Sequence, residues 1–181
     1  TCALPISLYF ACENDAVDGK LFRFEVQTSD IKYFDSDAVS VVSNIAKRPI
    51  DFSIEDLREL DRKEFNSEEE IQYLLHEIKY EKPHFQNVID SKDIERVFCV
   101  KPMFDNPRII RQSGAFFLYG INGNKSQPAS LNFSYKVYII NKAQKRKIRK
   151  QLEALGIDKS TLFPEVEHVA EHIKDKYHLP K

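Results

Sequence analysis

Between residues 105 and 116 the chain concentrates groups that recognise anions and hydroxyls: Asp105-Asn106-Pro107-Arg108-Ile109-Ile110-Arg111-Gln112-Ser113-Gly114-Ala115-Phe116. A guanidinium offers paired N–H donors to a phosphate or carboxylate, and an amide orients a hydroxyl or a second amide. Arg108, Arg111 and Gln112 are therefore candidate ligand contacts. A second reading has equal weight. Arg108 and Gln112 lie one helical turn apart, and the same donors could tie this connection to a neighbouring element. No Ser-His-Asp or Cys-His set can be assembled from the sequence, and no Gly-rich loop is present to cradle phosphate. No catalytic residue is assigned, and whether the chain is an enzyme stays open.

Two further patterns invite a chemical reading. His168-Val169-Ala170-Glu171-His172 matches H-x-x-E-H, in which two His one helical turn apart bind zinc beside a catalytic Glu. Helical phase opposes it: Val166, Val169, Ala170, Ile173 and Tyr177 define an apolar face, which turns His168, Glu171 and His172 to water. We expect no metal there. Lys142, Lys145, Arg146, Lys147, Arg149 and Lys150 form a basic cluster, but no stacking aromatics interleave it. It reads as the wet side of a helix, and nucleic acid is not an expected partner.

Lys plus Arg (27) nearly cancels Asp plus Glu (28), so no global field attracts nucleic acid or an anionic membrane. At 181 residues the chain fits one domain, spanning residues 1–181, that buries roughly 70% of the surface its unfolded form exposes. Such a core needs no disulfides. Cys2, Cys12 and Cys99 are odd in number and lack metal-type spacing; they read as small core residues in a reducing, cytoplasmic setting. No apolar run is long enough to suggest a membrane-spanning helix.

The elements that must position the candidate residues follow from periodicity. Pro5 suits a first helical turn before the apolar residues 6–12. Residues 21–27 alternate Phe22, Phe24 and Val26 against Arg23, Glu25 and Gln27, predicting a half-buried strand. Asp35 or Ser36 could cap a helix with Ala38, Val41, Val42, Ile45 and Ala46 on one face, although the β-branched valines also suit a strand. Ser67 and Glu70 form a capping-box pattern ahead of the stripe Ile71, Leu74, Leu75 and Ile78. The unbroken run Val97-Phe98-Cys99-Val100 predicts a strand covered on both faces. Residues 116–119 and 131–139 suggest a hairpin with a long loop through Asn122-Gly123. A helix from about Ala143, with Ile148, Leu152 and Leu155 at helical spacing, stops at Gly156; a last helix follows Pro164. Strands and helices intersperse without a βαβ rhythm. The fold class expected is α+β, with a mixed, mainly antiparallel sheet and flanking helices.

Three stretches together resemble the FRG domain family: residues 1–12 (TCALPISLYFAC); residues 108–116, with Gln112-Ser113-Gly114-Ala115-Phe116; and residues 155–164, from Leu155-Gly156-Ile157 to Leu162-Phe163-Pro164. The resemblance spans nearly the whole chain and implies a member without its N-terminal part, where an aromatic-Arg-Gly motif would stand. It implies no established activity. It directs attention to a ligand-recognising module for a nucleotide or other small anion, with Arg108, Arg111, Gln112 and Thr1 near the site and Tyr9 and Phe116 as walls. A looser analogy, to ADP-ribosyltransferases, would make NAD the cofactor of the complete protein, with Thr1 at the hydroxyl position and Gln112 where a Glu is expected. A Gln can bond to a ribose hydroxyl but brings no charge to an oxocarbenium-like centre. A third alternative is a regulatory module that binds another protein.

Overall fold

The computed structural model describes residues 3–86, 88–165, 170, 173 and 174. The fold is α+β. In chain order its helices are α1 (Leu4–Ala11), α2 (Asp37–Asn44), α3 (Arg62–Ser67), α4 (Glu69–Glu81), α5 (Ser91–Ile94), α6 (Pro107–Arg111), α7 (Lys142–Ala154) and α8 (Lys159–Leu162). Its strands are β1 (Gly19–Glu25), β2 (Ile31–Tyr33), β3 (Val97–Lys101), β4 (Phe116–Tyr119), β5 (Ile121–Asn122), β6 (Asn124–Pro128) and β7 (Ser134–Ile140). Contacts gather these into two compact units. One contains the described residues of 1–25, 102–115 and 134–181; the other contains residues 26–101 and 116–133.

In the second unit β3 is the interior strand, parallel to β2 and antiparallel to β4. Its apolar run explains the position: Val97, Phe98 and Val100 are buried, which an edge or solvent-facing strand would not allow. Val39 and Val42 of α2 pack on Phe98 and Val100. Val41 and Ile45, a step further round, join Phe65 and the α4 stripe Ile71, Leu74, Leu75 and Ile78 in the larger core cluster. The predicted stripe is therefore the observed one, but its predicted cap is not. Ser67 ends α3 and its hydroxyl donates to the Lys63 carbonyl, while Glu70 pairs with Arg48. The capping box forms instead between Asp61 and Glu64, which have the same spacing, at the start of α3. Buried Asn66 clasps the residue 88–90 segment by exchanging hydrogen bonds with both backbone groups of Ile89.

In the first unit β1 and β7 form an antiparallel ribbon running in register from Gly19 opposite Ile140 to Glu25 opposite Ser134. The expected hairpin of residues 116–119 with 131–139 does not form, because β4 pairs with β3 and β7 with β1. Alternation sets which face a residue occupies and says nothing about the partner strand. The short hairpin is β5 to β6, turning at Gly123 with φ +80°. The face assignment of β1 also changes: Leu21 is buried, whereas Phe22 is half exposed and stacks beside Phe24 and Tyr135.

Helix α7 departs from its predicted polarity at two positions. Lys145 is 1% exposed because its aliphatic stem covers Gly19 and its ammonium donates to the Asn14 carbonyl (2.7 Å). Leu155, expected on the buried stripe with Leu152, is the helix C-cap and is 72% exposed. The helix ends in a Schellman motif, with Gly156 at φ +74° and the Ile157 N–H returning to the Leu152 carbonyl. Of the buried face expected after Pro164, only Ala170 and Ile173 lie among the described residues. Both are helical and exposed. No helix among the described residues is long and apolar enough to cross a membrane.

Two glycines are held by different constraints, and one substitution separates them. A Cβ on Gly120 would sit 1.9 Å from the Ile94 carbonyl oxygen, whereas a Cβ on Gly156 would meet nothing within 4 Å. Gly120→Ala is expected to cost about 2–3 kcal/mol, and Gly156→Ala about 1 kcal/mol from its left-handed backbone alone. Thermal unfolding of the two variants checks the ranking; a Gly156→Ala loss equal to or larger than that of Gly120→Ala contradicts it.

Candidate functional site

Helix α6 begins where the sequence supplies both an N-cap and a pre-set φ. Asn106 Oδ1 accepts from the Arg108 N–H (2.9 Å) and Pro107 occupies the first turn. The helix stops after five residues in a second Schellman motif. Ser113 takes the left-handed conformation (φ +46°), its N–H bonds to the Ile110 carbonyl, and the Gly114 N–H bonds to the Ile109 carbonyl. This stop places Arg111 and Gln112 side by side at the helix end.

Both side chains reach α8. Arg111 Nη1 donates to the Thr161 carbonyl and Gln112 Nε2 to the Leu162 carbonyl, each at 3.1 Å. Arg108, one turn earlier, lies over the Phe163 ring (4.8 Å to the centroid) and pairs with Glu165 at 3.7 Å. The α8 segment is itself pinned by a capping box, in which Asp158 accepts from the Thr161 N–H and the Asp158 N–H donates to the Thr161 hydroxyl.

Against α8 packs α1. Ile6, Leu162 and Phe163 form the buried centre of an apolar cluster that Ala3, Tyr9, Phe10 and Ile157 extend. Beside it opens a recess of about 230 Å³. The N-terminal segment contributes Ala3, Pro5 and Ile6 to its lining. Helix α6 contributes Arg111; the residues after α7 contribute Gly156 and Ile157; α8 contributes Thr161 and Leu162. All eight lie in one compact unit. They also lie within residues 1–12, 108–116 and 155–164, the three stretches singled out together in the sequence.

The structure therefore sorts the candidate residues. Arg111 lines the recess. Arg108 and Gln112 face α8 and hold it, and Tyr9 packs edge-on against Phe10 (5.6 Å) within the neighbouring cluster. Burial, followed by the nearby Glu13 charge, pushes the Tyr9 phenol above its ordinary pKa. Phe116 belongs to the second unit, where it opens β4 opposite Val100 and is 54% exposed. Thr1, Cys2, His168 and His172 lie outside the described residues. Among the described residues no group of three or more His, Cys, Asp and Glu is placed to hold a metal ion. Sequence reasoning did not single out Ala3, Pro5, Ile6, Ile157, Thr161 or Leu162. All six fall in residues 1–12 and 155–164, two of the three stretches singled out together in the sequence.

The basic cluster of α7 is partly committed as well. Arg149 makes a bidentate pair with Asp15 (2.7 and 2.6 Å) and also donates to the Cys12 carbonyl. Cys12 is fully buried, and burial raises its thiol pKa. No family model, curated protein or solved structure matches this chain.

Two outcomes follow from these contacts. Gln112→Ala leaves the Leu162 carbonyl without its amide donor and is expected to cost about 1–2 kcal/mol, lowering the melting temperature by roughly 2–8 °C; an unchanged melting temperature would remove the bracing role. The Arg149 hydrogen bonds hold the Asp15 carboxyl below its ordinary pKa of 3.8. A depressed folded-state pKa gives stability that is present above the unfolded value and is lost as pH falls through the folded one. Acid titration of stability below about pH 5 should thus fall less steeply in Asp15→Asn than in the wild type, with matching slopes counting against the pair.

Proposed function

We propose that this chain is an FRG-type, anion-recognising module whose ligand site is the recess between α1, α6 and α8, with Arg111 as its cation. The observation that carries the reading is the state of that guanidinium. Of its five N–H donors one is used, on the Thr161 carbonyl, and no carboxylate among the described residues pairs with it. Arg108, by contrast, pairs with Glu165 and lies over the Phe163 ring, and Gln112 carries no charge and gives one of its two amide N–H groups to the Leu162 carbonyl. A cation kept unpaired beside a concave apolar surface suits an anionic group, since a guanidinium offers a carboxylate or phosphate two parallel hydrogen bonds.

Convergence also supports the reading. Three stretches separated by about a hundred and by forty residues contribute every lining group, and a structural turn at the surface would not require all three. The test separates binding from bracing. Arg111→Ala is expected to weaken binding of a small carboxylate or phosphate probe by tenfold or more while shifting the melting temperature by less than Gln112→Ala does. Calorimetric titration and thermal unfolding of the two variants measure both effects. A recess that binds no anionic probe in the wild-type chain would end the proposal.

A further inference from the structure

We infer that the ligand of the recess is a compact amphiphilic monocarboxylate, a hydrocarbon chain or branch of about six to eight carbons ending in one carboxylate, and not a nucleotide. This inference rests on the anion-recognising reading above and narrows it by chemistry. Apart from Arg111 and the Thr161 side chain, the lining side chains are all apolar: Ala3, Pro5, Ile6, Ile157 and Leu162. The polar groups of the recess are largely committed. The Thr161 hydroxyl accepts from the Asp158 N–H and donates to the Asp158 carbonyl, and the Thr161 and Leu162 carbonyls accept from Arg111 and Gln112.

A ribose or a base entering this space would press its hydroxyls and ring nitrogens against carbon without partners, and a buried polar group left unpaired opposes binding strongly. Size points the same way: about 230 Å³ encloses on the order of ten non-hydrogen atoms at the packing of a protein interior, so more than half of a nucleoside monophosphate would lie outside the recess without contacts from it. What fits is one charge for Arg111 and a short apolar body for the rest.

The experiment titrates the full chain, isotopically labelled, with acetate, butanoate, hexanoate, octanoate, inorganic phosphate and ADP, following amide resonances of α1, α6 and α8. Affinity should rise about threefold to fourfold for each methylene buried, up to the length that fills the recess, and then level off. Arg111→Gln should lose tenfold or more for hexanoate, and Arg111→Lys should recover part of it. ADP should bind more weakly than hexanoate. If acetate and phosphate bind as tightly as hexanoate, or ADP binds more tightly, with dependence on Arg111, the anion site stands and the amphiphile inference is overturned. If no anion moves resonances of the recess in the wild-type chain, both readings fall. The chain-length series needs no variant, so a folding defect in an Arg111 substitution leaves it decisive.

Discussion

The last carbonyls of α8 have no partner within a helix of four residues, and α6 provides two. Peptide carbonyls at a helix end must find a donor or water, and those turned toward protein need the donor. Thr161 and Leu162 are adjacent acceptors; Arg111 and Gln112 are adjacent donors. Matching one pair to the other requires that α6 end where it does, which the left-handed Ser113 accomplishes. A non-glycine residue in that conformation is strained by about 1–2 kcal/mol. The hydrogen bonds and the Arg108 to Phe163 contact that depend on the turn offset that strain.

From this docking follow the recess and its chemistry. With α8 held by α6, Leu162 and Phe163 are presented to α1, whose Ile6 completes the buried centre. Helix α1 is apolar on nearly all sides; Ile6 is buried, residues 7–11 are half-buried and Leu4 stays exposed. It makes contacts with β1 and α7 as well. Arg149 and Lys145 of α7 secure the chain just beyond α1 by donating to the Cys12 and Asn14 carbonyls. The same rule operates at both ends of the helix pair: backbone acceptors left over by short elements recruit long cationic side chains, whose stems cover apolar surface on the way.

How much of this was legible in the sequence varies with how local the cause is. The α4 stripe and the interior β3 strand were readable because burial on one face or two leaves a period in the residues themselves. The α7 stop at Gly156 was readable because a left-handed C-cap has a preferred residue. Strand pairing was not readable, since β7 and β1 are more than a hundred residues apart and alternation carries no partner label. Two capping-box patterns, Asp61 with Glu64 and Ser67 with Glu70, obey one spacing rule, and only packing decided between them. Lys145 defeats a polarity rule because its charge is solvated by a carbonyl 131 residues away in sequence.

The candidate site divides along the same line. That residues 108–112 hold recognition chemistry is a statement about side-chain type, and the sequence suffices for it. Which of the three polar residues stays available depends on where α8 puts its carbonyls, fifty residues later. A guanidinium differs here from an amide in carrying a charge. Gln112 gives one of its two amide N–H groups to the carbonyl it braces and has no charge to offer an anion, whereas Arg111 satisfies one acceptor with one of five N–H groups and has no carboxylate partner among the described residues. Bracing and recognition are therefore not exclusive at position 111. The contact with Thr161 restrains the side chain in advance, so on the proposed reading part of the entropy of fixing a long, flexible arginine would be met in folding and not again on binding. A restrained cation beside a small apolar wall would then select ligands by the body attached to the charge, because the charge alone would be served nearly as well by water.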